Sequence, residues 1–248
     1  MTAVEWLAAG EHELPADDQF LTERELAWMG RMRFPKRRLE YRLARWCAKT
    51  AIAATVEPAP PVGEVEIGHL PEGAPAGYIR GAEFERRISM TDRAGWAVCA
   101  IAPPGIEVGV DLELVETRTP GFVADFFTAS ERLITMRGRE VDPLLANLIW
   151  SAKESALKVL RTGLRRDTRS VEVTMEPGPG DSWTPLTVAA DGLSRPFAGW
   201  WRRYGEFVLT VAASHPTATP ISLSASTGLA TAEPVHSWLD QPAPIDVD

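Results

Sequence analysis

The 248-residue chain reads as an α+β fold of two similar lobes related by a pseudo-two-fold axis, each a small antiparallel sheet packed on one long helix. Three observations predict it. Two long stretches, one beginning at Pro35 and one at Pro143, carry apolar residues at helical spacing. Each is followed by a series of β-rich runs separated by turn-prone segments. The order of long helix and then strands occurs twice, without an exact sequence repeat.

In the first half, Pro35 suits a first helical position, and Leu39, Leu43, Trp46 and Ile52 recur at helical spacing until "EPAPP" ends the pattern. "VGEVEIG", "RISM", "GWAVCAIA" and "IEVGVDLEL" then read as strands, with Pro103-Pro104-Gly105 the clearest turn among them. In the second half, "TASERLITMRG" reads as a short helix capped by Thr128 or Ser130. "DPLLANLIWSAKESALKVLRTG" reads as the second long helix, with Asp142 as cap, Pro143 at its first turn and Gly163 as its stop. "SVEVTM", "WTPLTVAA", "FAGWWRR" and "GEFVLTVAA" follow as strands. These elements divide the chain into a first lobe over 1–108, a second over 109–215, and a Ser-, Thr-, Ala- and Pro-rich linker-like tail over 216–248.

Composition excludes several functions. A net charge of −8 argues against a general nucleic-acid binder. The N-terminus has no apolar core with a cleavage site, and no uncharged run approaches the roughly 20 apolar residues of a membrane span, so a cytoplasmic protein without membrane contact is expected. Cys47 and Cys99 stand far apart and are expected to be buried thiols. From Arg31 to Lys49 the charge reverses, with eight bases against the single acid Glu40, which makes an anionic partner plausible there.

The chemistry concentrates in two places. In "GVDLE", residues 109–113, a strand puts Asp111 and Glu113 on one face and Val110 and Leu112 on the other. In "WSAKESALK", residues 150–158, Trp150, Glu154 and Lys158 share one side of a helix, with Lys153 beside them. Three carboxylates without nearby His or Cys suit a hard cation such as Mg²⁺, which keeps other positions for water and phosphate oxygens. Taken alone, each signal has an ordinary explanation: a solvated strand edge for Asp-x-Glu, a surface pair for Glu154 and Lys158.

Taken in order, "GVDLE", "FFTASE" and "WSAKESALK" resemble the motifs of the 4′-phosphopantetheinyl transferase superfamily in its two-lobed, surfactin-synthetase-activating form. That family's pattern is G-[IV]-D-[ILV]-E, then F-[ST]-x-x-E, then W-x-x-K-E-[AS]-x-x-K. Upstream, "KRRLEYRLARWCAK" is similar to its basic first-lobe helix and "SMTDRAGW" to its phosphate-binding segment, so the resemblance spans Arg31 to His215.

The resemblance implies Mg²⁺-dependent transfer of the 4′-phosphopantetheine arm from coenzyme A to a serine of an apo acyl- or peptidyl-carrier protein, with release of 3′,5′-ADP. It implies Asp111, Glu113 and Glu154 as metal ligands, Lys158 as a phosphate contact that stabilises developing charge, and Glu154 or Glu131 as the base. Arg38, Arg45, Lys49, Thr91, Arg93, Lys153 and Lys158 are the implied coenzyme A contacts, the first lobe taking the nucleotide side. Coenzyme A and the carrier protein are the implied partners, and two fused lobes allow a complete site in a monomer. One position departs from the family: Asp92 stands where histidine is usual, and Arg93 follows it. A non-catalytic or specialised homologue that binds coenzyme A or a carrier protein is the alternative reading.

Overall fold

The computed structural model describes residues 1–176, 178, 180–224 and 228–235. The first run comprises strand β1 (Ala3–Gly10), helices α1 (Glu23–Met29) and α2 (Pro35–Ala54), and strands β2 (Val65–His69), β3 (Pro75–Ile79), β4 (Ala82–Glu83), β5 (Ile88–Arg93) and β6 (Trp96–Ile101). The second begins with β7 (Val108–Leu114), α3 (Pro120–Phe126) and α4 (Ala129–Thr135). It continues through the ribbon β8 (Met136–Arg137) and β9 (Glu140–Val141), α5 (Pro143–Val159), and strands β10 (Val171–Met175), β11 (Thr184–Ala190), β12 (Phe197–Tyr204) and β13 (Phe207–Ala213). A last strand, β14, covers Ala218–Ser222. The class is mixed α+β.

Alternation along the strands sets the layers. On β1, Val4, Trp6 and Ala8 enter a core between two sheets, while Leu7 and Ala9 face α2. On β6, Trp96, Val98 and Ala100 point the first way and Ala97, Cys99 and Ile101 the second. The opposing sheet contributes Val108, Val110, Leu112 and Leu114 of β7 and Phe207, Leu209 and Val211 of β13 to the same inter-sheet core. Its far face carries α5, whose Leu148, Ile149, Ala152 and Ala156 pack on Val171, Val173, Leu186 and Val188. The layers therefore run α2, sheet, sheet, α5.

The strand orders are β14-β1-β6-β5 and β10-β11-β12-β13-β7, with β2-β3-β4 as a separate ribbon. Strand β5 is thus the edge of one sheet and β7 the edge of the other. Side chains join the two edges: the Val110 amide donates to Ser89 Oγ at 3.0 Å, and Thr91 Oγ1 donates to Asp111 Oδ1 at 3.1 Å.

Both long helices start at proline, and Asp142 Oδ1 caps α5 by accepting from the Leu145 amide at 3.0 Å. The short helix α4 is capped by Thr128, not Ser130. Helix α5 stops before the expected Gly163. Arg161 takes a left-handed φ of 56°, the Arg161 amide donates to the Lys158 carbonyl, and the Thr162 amide donates to the Leu157 carbonyl. That is a Schellman ending with arginine where glycine is usual. Arg161 is held there by ion pairs to Glu72 and Glu107.

The described part of the expected tail, residues 216–224 and 228–235, also departs from expectation, and the rest of it lies outside the described residues. Residues 218–222 are strand β14, paired parallel with β1, and Leu229 is fully buried in the inter-sheet core. The first twenty residues, unassigned from sequence, supply the inner strand β1. Cys47 and Cys99 are buried free thiols in the core under α2. Among the described residues, no helix is long and apolar enough to cross a membrane.

Candidate active site

The edge of β7 and the exposed side of α5 build the site. Helix and strand approach closely because residue 109 is glycine: a Cβ there would lie 1.9 Å from the Ser155 carbonyl oxygen. Two hydroxyl contacts hold α5 on the sheet, Ser151 Oγ donating to the Asp111 carbonyl of β7 at 3.1 Å and Ser155 Oγ to the Thr210 carbonyl of the adjoining β13 at 3.2 Å. With the apolar side of β7 committed to the inter-sheet core, Asp111 and Glu113 face α5.

Lys158 Nζ donates to Asp111 Oδ1 and to the Val110 carbonyl, each at 2.8 Å. Asp111 is buried, and its Oδ2 has no hydrogen-bond partner; neither has Glu154 Oε1, one helical turn before Lys158. Burial, followed by the Asp111 carboxylate, pushes Glu154 up to about 7 against the pull of Lys158.

Glu113 is held differently. Its Oε1 accepts from Trp150 Nε1 at 3.0 Å and its Oε2 from Arg118 Nη2 at 3.2 Å, with Arg93 Nε 3.3 Å from the same oxygen. Burial, then Asp111, raises its pKa to about 7, opposed by both arginines. Of the three acids expected as metal ligands, two therefore present unpartnered oxygens and the third is occupied by cations. Among the described residues, no group of three or more His, Cys, Asp and Glu side chains is arranged as a metal cage.

Three expected site residues, the coenzyme A contacts Lys153 and Lys49 and the alternative base Glu131, are placed elsewhere. Lys153 is completely buried and donates to the Thr168 and Val171 carbonyls at 2.9 and 2.5 Å. Its ion-pair partner, at 2.8 Å, is Glu131. Glu131 also accepts from the Thr128 and Val173 amides, each at 2.8 Å, so both its oxygens are engaged and it is 1% exposed. Lys49 is likewise buried, donating to Glu25 Oε2 and the Phe20 carbonyl at 2.5 Å each. None of these side chains is open to a ligand. A charged residue on a helix reads as solvent-facing, and only a partner brought in by the fold makes its burial possible.

Beside α2 and β5, Arg33, Arg37, Tyr41, Arg45, Thr91 and Asp92 line a cleft of 410 Å³. Arg45 lies over the Tyr41 ring at 4.2 Å. Arg38 is outside this lining and donates to the Met32 carbonyl. A second cleft, of 640 Å³, runs past Lys158, Arg161 and Arg165, and both clefts are bounded by Met90. On β5, Thr91 and Arg93 face β7, whereas Asp92 looks into the first cleft beside Arg37 and Glu40. Desolvation, then the Glu40 charge, raises Asp92 to about 6.

Sequence reasoning missed Arg118, which Asn147 Oδ1 accepts from at 2.7 Å and which stacks over Phe122 at 4.8 Å. Nothing in the local pattern marks it. It also missed Glu25, although "FLTERE" at 20–25 carries the same F-x-T-x-x-E spacing as "FFTASE" at 126–131.

Residues 107–212 match the family model described as the 4′-phosphopantetheinyl transferase superfamily. No curated protein matches the chain.

Proposed function

We propose that this chain, whose residues 107–212 match the 4′-phosphopantetheinyl transferase superfamily model, moves the 4′-phosphopantetheine arm of coenzyme A onto a serine hydroxyl of an apo carrier protein. The observation that carries the reading is one cluster. Two buried carboxylate oxygens without partners, on Asp111 and Glu154, adjoin Lys158 between two clefts lined by arginines.

That donor set fits a hard divalent cation. Unpartnered buried carboxylate oxygens are costly unless something positive completes them, and Mg²⁺ is held by one or two carboxylates with phosphate and water in its remaining positions. Asp111 and Glu154 would hold it, with Glu113 next to them, and its chemistry is to neutralise charge on a diphosphate.

The residues divide the remaining work. Arg33, Arg37 and Arg45 suit the nucleotide phosphates, and Lys158, Arg161 and Arg165 suit the other cleft. Glu154 is the base: it has a carboxylate oxygen without a partner, whereas both oxygens of Glu131 are engaged elsewhere. The serine oxygen forms a bond to the β-phosphorus of coenzyme A, the bond to 3′,5′-ADP breaks, and the serine proton passes to Glu154. Lys158, which donates to Asp111, would meet the charge building on the phosphate. The two successive strand–helix–strand runs support the reading of a first lobe over 1–108 and a second over 109–215, related by a pseudo-two-fold axis.

A binding-only homologue is the second reading, favoured by Glu113 being tied to Arg93 and Arg118 rather than free. Chromatographic assay of 3′,5′-ADP separates the two. Release that requires Mg²⁺ and an apo carrier, and that ceases when the carrier's acceptor serine is alanine, supports transfer. Coenzyme A binding with no release over a broad carrier panel supports the binder.

A further inference from the structure

Glu131 and Lys153 have a twin in the first lobe. Thr22 caps α1 and Thr128 caps α4, each in a capping box closed by the glutamate three residues on, Glu25 or Glu131. Both glutamates then reach further. Glu25 Oε1 accepts from the Ile67 amide of β2 at 3.0 Å, as Glu131 Oε1 does from the Val173 amide of β10 at 2.8 Å. Both pair with a fully buried lysine three residues after a tryptophan of the long helix, Lys49 after Trp46 and Lys153 after Trp150. Each lysine also donates to a main-chain carbonyl outside its helix. One carboxylate thus ties a short helix, a long helix and a strand together in each lobe.

The two clamps differ in the next residue. Thr50 follows Lys49, whereas Glu154 follows Lys153. Helix α5 is pinned along a second line by Ser151 and Ser155, which share hydrogen bonds of 2.8 Å with Thr210 Oγ1. At about 100° per residue, Glu154 and Lys158 fall on the arc between the Lys153 line and the Ser151 line. Rotation of α5 about its axis would carry the Glu154 carboxylate away from Asp111, and the clamp resists that rotation from one side.

We propose that Glu131 and Lys153 are positioning residues, whose buried ion pair sets the rotation of α5 and so holds Glu154 facing Asp111. The proposal rests on the reading of Asp111 and Glu154 as one divalent-cation site. It assigns neither residue to the ligand or to proton transfer.

The test uses Mn²⁺ as probe, its affinity for the metal-free full chain measured by electron paramagnetic resonance, with melting temperature recorded for every variant. Glu131→Gln should weaken Mn²⁺ binding about 10-fold or more, the loss expected when a ligand's support is removed. Glu131→Gln with Lys153→Met removes both charges, a swap that buried pairs tolerate, so this variant should fold and still bind Mn²⁺ about 10-fold or more weakly because the pair is gone. Glu25→Gln breaks the twin clamp and should lower the melting temperature while leaving Mn²⁺ affinity within about 3-fold of wild type. Should Glu131→Gln alone not fold, the double variant decides: a loss of about 10-fold or more supports the proposal, and affinity near wild type overturns it. Equal losses in Glu25→Gln and Glu131→Gln, or an unaffected Glu131→Gln, would overturn it, as would a wild-type chain that binds no Mn²⁺. Carrier modification is scored separately, so absent transfer with this Mn²⁺ pattern would refute the functional reading and leave the clamp standing.

Discussion

Glu154 lies beside Asp111 in surroundings that hold its pKa near 7, and that position has a stability consequence as well as a chemical one. The folded chain binds a proton there that the unfolded chain, with an ordinary carboxylate pKa of 4.5, has released. Stability of the metal-free protein therefore falls as pH rises from the unfolded value to about 7 and is flat beyond it. Glu154→Gln removes the loss. It should raise the melting temperature at pH 8 by about 2–4 °C, the effect of about 1 kcal/mol in a chain of this size. The gain should vanish by pH 4, as thermal melts at the two pH values would show. Asp111→Asn should cut transfer about 100-fold or more while the circular dichroism spectrum stays native, since an unpartnered oxygen contributes to the reaction and not to the fold. Asp92 is ionised above about 6 and would then repel a phosphate bound in the first cleft as proposed. Asp92→Asn should lower the KM for coenzyme A several-fold at pH 8, with the advantage shrinking below pH 6; a pH-independent KM ratio would contradict that placement.

Strand β7 and helix α5 act as one element, and Gly109 is the joint between them. Gly109→Ala would drive a methyl group into the Ser155 carbonyl, at a cost of about 1–3 kcal/mol or more. Differential scanning calorimetry should show a melting temperature lower by several degrees, together with weaker turnover because Asp111 moves off Glu154. This part of the fold was legible because each residue advertised one role: Asp142 and Pro143 mark a helix start, and Val110 and Leu112 alternate with Asp111 and Glu113. Strand β1 was not, because its residues 4 and 6–9 are all buried, and a strand covered on both faces loses the period-two signal. The charges of Lys49, Lys153 and Glu131 misled for the opposite reason. Their burial depends on partners contributed by other elements, which the local pattern does not show.

At the scale of the molecule, the two sheets meet through one apolar core and touch at edges β5 and β7, beside which the proposed site residues Asp111, Glu154 and Lys158 collect. The stretch after β13 secures this arrangement. Strand β14 extends the first sheet, Leu229 enters the shared core, and the Val235 amide donates to the Ala94 carbonyl at the tip of the β5–β6 hairpin. A segment rich in Ser, Thr, Ala and Pro reads as a linker from composition, since pairing with a distant strand leaves no local trace. Leu229→Ala should cost about 2–5 kcal/mol by urea unfolding, and a value under about 0.5 kcal/mol would show the segment to be an appendage. Asp111, Glu154 and Lys158 are proposed to form a transfer site for the phosphopantetheine arm. Intact-mass spectrometry of an apo carrier panel after incubation with coenzyme A, Mg²⁺ and either wild type or Glu154→Gln tests it most directly. At least one carrier should gain the arm with wild type and stay unmodified with Glu154→Gln over the same interval. Equal modification by both proteins, or none by either across the panel, would contradict it.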